Sequence, residues 1–162
     1  MNIFTITNNN SSFYVRPDTS LAKDETQYYC LPNIGELKLS RFIFARASKA
    51  GKCIAAKFAH RYYSKVGYGV QIIAPELIDS NIPESWLLAH SLDCSTFLSG
   101  REKTAEELSQ QQREIIDIAF EMVSKYISIR TGDYIAIEIS SESINSTTEK
   151  VSLDDKEITV IW

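Results

Sequence analysis

The patterning of this chain predicts an α+β fold, mainly β-sheet, with one long amphipathic helix near residues 104–127. Three observations carry that reading. Apolar residues alternate over 37–47 and again over 134–140, the period of a half-buried strand. Residues 104–127 carry apolar side chains at helical spacing, behind a capping box formed by Thr104 and Glu107. The other apolar runs are short and bounded by Pro, Gly, Asn or Asp.

In chain order, residues 2–7 and 13–15 read as short strands on either side of the polar turn 8–12. Arg16-Pro17-Asp18-Thr19 is a loop, because proline fixes φ and removes a donor while Asp supports a turn. Residues 27–31 form a short aromatic strand that Pro32 stops. On the strand 37–47, Leu37, Leu39, Ile43 and Ala45 share one face, and Lys38, Ser40, Phe42, Phe44 and Arg46 the other. Arg41 breaks the apolar face. After a turn at 48–52, residues 54–65 read as a helix ending before Gly67. Residues 67–73 are then a strand whose two glycines allow close backbone approach.

Residues 91–98 are a further short strand. In the long helix, Leu108, Gln111, Ile115, Ile118, Ala119, Met122 and Tyr126 form the expected apolar stripe. It stops before Thr131-Gly132-Asp133. On 134–140, Ile135, Ile137 and Ile139 share a face, and Glu138 is expected in solvent. A polar loop at 141–149 leads to a hairpin, 151–153 and 157–162, with Asp154-Asp155-Lys156 at its exposed tip.

Composition excludes several function classes. With 162 residues, 44% hydrophobic and 23% charged, the chain suits a single domain, 1–162, with its own core. A net charge of -4 argues against nucleic acid, and the cluster Arg46, Lys49, Lys52 and Lys57 reads as a solvated turn and helix start. No apolar run approaches the ~20 residues that span a bilayer, and the first residues lack a signal-peptide pattern. A cytoplasmic protein without membrane partners is expected. Cys30, Cys53 and Cys94 are odd in number without CxxC spacing, so they read as reduced thiols in or near the core. Dinucleotide, P-loop, GxSxG and HExxH motifs are absent.

The segments FYVRPDT (13–19), FAHRYYSKVGYGVQIIAPEL (58–77) and WLLAHSLD (86–93) resemble the fumarylacetoacetate hydrolase family, in its bacterial 2-hydroxyhepta-2,4-diene-1,7-dioate isomerase branch. The resemblance covers most of 13–99 and, more weakly, 115–137. It implies a mixed, mainly β-sheet roll, a homodimer, and hydrolysis or isomerisation of a small keto- or enol-acid. It also implies Mg²⁺, Mn²⁺ or Ca²⁺ held by carboxylates. The family's Glu-x-Glu sits on one strand, where residues two apart face the same way and converge on one cation. Laid on that pattern, this chain has Ser40 and Phe42 at the two glutamates, Lys38 at a histidine, Gln71 at the third acid and His90 at a catalytic lysine. The family's Gly-Thr-Pro becomes Glu138-Ile139-Ser140, and its histidine-containing N-terminal lid has no counterpart in the first twelve residues.

Hard divalent cations want several oxygens, mostly anionic. Ser40 and Gln71 offer neutral oxygens and Phe42 none, so the metal site is expected to be lost and Phe42 to fill its space. No cofactor is therefore expected, and no residue is assigned a catalytic role. Arg16, Lys38, Ser40, Phe42, Gln71 and His90 are the expected remnant pocket. Arg16 could orient a carboxylate ligand bidentately or pair with Asp18 or another acid. His90 could act in acid–base chemistry or simply line the pocket, and His60 is expected to pack or make a local hydrogen bond. Three functions fit: a non-catalytic relative acting as a partner or ligand-binding subunit; a hydrolase or isomerase with a remodelled site using Arg16, Lys38 and His90; or a metal-free module for a small organic acid.

Overall fold

A computed structural model of the chain describes residues 1–7 and 12–162. The polar turn expected at 8–12 therefore falls largely outside the described residues. The fold is α+β, with ten strands and three α-helices among those residues, and its strands pair in both parallel and antiparallel senses. The chain forms two compact units. The first comprises Met1–Arg16, Ile43–Gly67 and Arg101–Glu138, and the second Pro17–Phe42, Tyr68–Gly100 and Ile139–Trp162. Three long strands, β5 (Glu36–Ala47), β6 (Tyr63–Ile73) and β8 (Tyr134–Asn145), contribute a segment to each.

In the first unit the strands run in the order β2-β1-β8-β5-β6, where β1 is Ile3–Ile6 and β2 Phe13–Arg16. β1 lies antiparallel to β2 and parallel to β8, with Phe4 opposite both Val15 and Ile135. The helices α1 (Ala56–Ala59) and α3 (Gln110–Tyr126) pack on one another, and Phe120 of α3 meets the Tyr63 ring at 5.2 Å. Two buried polar side chains satisfy backbone groups that would otherwise be stranded. Asp133 accepts from the Asn2 and Arg130 amides, each at 2.8 Å, which ties the 130–133 turn to the start of β1. Ser124 accepts from the Ile54 amide at 2.8 Å and its carbonyl accepts from Cys53, so α3 holds the turn that enters α1.

In the second unit the strands run in the order β8-β5-β6-β7-β3, with β7 at Thr96–Leu98 and β3 at Leu21–Ala22. It adds a three-stranded sheet ordered β4-β10-β9, built from Gln27–Tyr29, Lys156–Ile161 and Lys150–Leu153. Its core is apolar: Leu37, Leu39, Val70, Ile72, Phe97 and Ile158 are buried together. The short helix α2 (Ser85–Ala89) precedes His90. The expected hairpin at the C-terminal end is present, with Asp154 at φ 44 in its turn.

Several expectations are corrected. The helix expected at 54–65 shrinks to Ala56–Ala59, and Tyr63 already belongs to β6, buried and bonded to Asp117 at 3.0 Å. The long helix is divided: Thr104 and Glu107 do form a capping box, but around a 3-10 turn, while α3 has its own box from Ser109 and Gln112. Its buried apolar face is Ile116, Ala119, Phe120 and Val123, so Ile118 (54% exposed) and Tyr126, both of the expected stripe, lie outside it. The polar run 141–145 is strand rather than loop, and Ile139 is half exposed. The strand expected at 91–98 is only Thr96–Leu98, and Gln27–Tyr29 and Asp18–Ser20 are likewise shorter or more ordered than expected. Cys53 is exposed, whereas Cys30 and Cys94 are half-buried free thiols.

The two candidate faces of α3 are separable by experiment. Phe120→Ala should cost ~3–5 kcal/mol in denaturant unfolding, as expected for a buried aromatic. Ile118→Glu should change stability by less than about 1 kcal/mol.

Candidate functional site

Of the six residues expected to form a remnant pocket, five, Lys38, Ser40, Phe42, Gln71 and His90, lie in the second unit. Arg16 belongs to the first, on β2 opposite Ile3, where it is fully buried. Ser40 and Phe42 stand two apart on β5 and therefore on one face, as the period of a strand requires. Lys38, on the same face, is exposed. Gln71 sits on β6, fully buried and opposite Thr96 of β7.

Phe42 decides what this face can do. It is 1% exposed, and its ring lies directly on the backbone of Gly69. A Cβ at Gly69 would overlap the ring's Cζ and Cε2 and would come within 2.8 Å of the Phe97 carbonyl oxygen. Glycine is therefore required at 69 by close approach, in keeping with the expectation for this strand. Beside the ring, the Ser40 hydroxyl is buried with no hydrogen-bond partner among the described residues. A buried unsatisfied hydroxyl costs free energy.

His90 follows α2 and has local partners. Its Nδ1–H donates to the Trp86 carbonyl at 2.7 Å, and its ring stacks on the Trp86 indole at 3.8 Å between centroids. Those contacts set the ring's orientation through its own helical turn. His60 caps α1 and is exposed, so it is not a packing residue. Glu138 is half-buried and accepts from the Tyr14 hydroxyl at 3.4 Å, rather than standing free in solvent.

The oxygens on the β5 and β6 positions are neutral, an aromatic ring stands at one of them, and that donor set does not fit a hard divalent cation. Among the described residues, no three or more His, Cys, Asp or Glu side chains converge as cation ligands would.

A cleft that the sequence did not announce lies elsewhere in the second unit. It encloses about 480 Å³ and is lined by residues 24–29 with Asp93 and Cys94. A hydrogen bond to Glu25 is the largest cause pushing the Cys94 thiol upward from its usual range, with burial adding to it. Cys94 itself adopts a positive φ of 50, and its amide donates to Thr19. Nothing in local patterning could have found this cleft, because 24–29 and 93–94 are far apart in sequence.

The sequence matches no family model and no curated protein. Solved structures do match. A fumarylacetoacetate hydrolase family protein from Yersinia pestis superposes with a TM-score of 0.76 at 15% identity, covering 99% of this chain and 91% of that one. The fumarylpyruvate hydrolase from Pseudomonas aeruginosa, solved with Mn²⁺ and pyruvate, gives 0.71 at 12% identity, covering 99% and 89%. The 2-hydroxyhepta-2,4-diene-1,7-dioate isomerase from Mycobacterium marinum gives 0.69 at 10% identity, covering 99% and 74%. This chain has the fumarylacetoacetate hydrolase fold. At these identities the likeness is one of fold, and it carries no residue's role across.

Within this fumarylacetoacetate hydrolase fold, the Phe42 ring and the Ser40 hydroxyl predict opposite mutational outcomes. Phe42→Ala should destabilise by ~3–5 kcal/mol, because the cavity over Gly69 cannot collapse fully. Ser40→Ala removes an unsatisfied hydroxyl and should be neutral or stabilising by up to about 1 kcal/mol. Chemical denaturation of both variants checks the pair, and equal losses would mean that Ser40 has a partner.

Proposed function

We propose that this chain is a member of the fumarylacetoacetate hydrolase family that has lost metal-dependent catalysis and acts as a non-catalytic, partner- or ligand-binding subunit, assembled as a homodimer. The observation that carries the reading is the Phe42 ring packed on Gly69, at the position where the family resemblance calls for a carboxylate. A side chain with no oxygen there, flanked by the neutral Ser40 and Gln71, leaves too little negative charge to desolvate and hold a divalent cation.

The remaining polar groups give no substitute acid–base machinery. His90 is oriented by Trp86, through its backbone carbonyl and its stacked ring. Lys38 is exposed, and Arg16 is buried in the other unit. A keto-acid bound near β5 would meet no identified group positioned to take its proton.

Metal analysis of the purified protein tests the proposal. After incubation with Mn²⁺ and gel filtration, the protein should carry far less than one ion per chain, and acylpyruvates should not turn over above the EDTA-treated control. Stoichiometric Mn²⁺, or hydrolysis lost on chelation, would overturn the non-catalytic reading. The triple variant Ser40→Glu, Phe42→Glu, Gln71→Asp should melt at lower temperature than the parent, since three neighbouring acids repel without a cation.

A further inference from the structure

We infer that the open edge of β4 is a docking site for an extended, basic peptide segment, which adds to the three-stranded sheet as a fourth strand. This goes beyond the proposed loss of catalysis and does not depend on it. Among the described residues, strand β4 is the terminal strand of its sheet and pairs with β10 alone. The register shows which way its backbone points. The Thr159 amide donates to the Thr26 carbonyl at 2.8 Å and the Cys30 amide to the Ile161 carbonyl at 2.7 Å. In a parallel ladder these bonds assign residues 26, 28 and 30 to β10. The main-chain N–H and C=O groups of Gln27 and Tyr29 therefore point away from it.

An outward row of donors and acceptors is a template for another strand, and proteins ordinarily blunt such edges with Pro, Lys or a covering loop. Here residues 26–30 contain neither Pro nor Lys. The opposite edge of the sheet differs, because Arg41 reaches across to the Ser152 carbonyl at 2.9 Å. At β4, by contrast, residues 24–29 line the cleft of about 480 Å³, with room for side chains of an added strand. Tyr29 is 67% exposed and its hydroxyl donates to Gln27, which holds an apolar ring at the mouth.

Charge selects the occupant. The cleft's ionisable lining comprises Asp24, Glu25 and Asp93, with no Lys or Arg among them. Lys156 interacts electrostatically with Asp24, and also with Asp155. A chain of net charge -4 adds a long-range field of the same sign. Main-chain pairing would supply affinity and alternate basic side chains specificity, as in other strand-addition complexes.

The test uses the full chain and a fluorescein-labelled peptide of about six residues that alternates Lys and Val. Anisotropy should report saturable binding that weakens with salt, while the Glu/Val counterpart should not bind. Gln27→Pro removes one outward N–H without touching the ladder to β10, so it should leave the melting temperature near that of the parent and weaken binding at least about tenfold. Glu25→Gln with Asp93→Asn should also weaken it. No binding at millimolar peptide would overturn the proposal. So would binding that Gln27→Pro leaves unchanged, which would mark surface charge alone. A concentration-dependent self-association that Gln27→Pro abolishes would overturn it in favour of a second copy of this chain. Should Gln27→Pro unfold the protein, protection of the Tyr29 amide from hydrogen exchange on adding the Lys/Val peptide decides the question, and its absence counts against the edge.

Discussion

An aromatic ring lying against a glycine backbone governs this protein. Strands β5 and β6 are hydrogen-bonded neighbours, so the Phe42 ring covers Gly69 on the face of the sheet, and only a residue without Cβ leaves it room at 69. The same contact removes the place where an anionic oxygen could stand on that strand face. Packing and chemistry are therefore one choice here. A ring that contributes apolar burial excludes the hydrated, charged environment in which a divalent cation is held.

Polar groups in the first unit show the complementary principle. Asp133 is buried, yet both its oxygens accept backbone amides, and Ser124 meets the amide of Ile54 from within a helix. These side chains are spent on backbone closure rather than on chemistry. Ser40 is the contrast: its hydroxyl is buried beside Phe42 with no partner among the described residues. Beside buried side chains such as Asp133 and Ser124 that are answered, an unanswered hydroxyl marks a position whose present residue is not there to stabilise the fold.

The legibility of the sequence varied with the range of the interactions involved. Residues 36–47 were legible as a strand because their alternation is local and long, and the hairpin at the end because its turn residues sit between two short apolar runs. The segment 54–65 misled, since FAHRYY has acceptable helix formers throughout. Tyr63 joins β6 because its ring finds Phe120 and its hydroxyl finds Asp117, both on α3 more than fifty residues away. On α3 itself the existence of a helix was plain, but the buried stripe was rotated by about one position, a shift that the near-symmetric spacing of Ile115, Ile116, Ile118 and Ala119 left open.

What the sequence by itself determined is the α+β class, the resemblance that the solved structures bear out at the level of fold, and the uncharged side chains at 40, 42 and 71. These depend on residue identity and local period, which a linear string carries in full. Only the tertiary structure decided that Phe42 rests on Gly69, that 141–145 pairs as strand despite its polarity, and that residues 24–29 meet Asp93 and Cys94 around a cleft. Each of those is a contact between segments distant in the chain, where the free energy comes from a partner that local patterning cannot name.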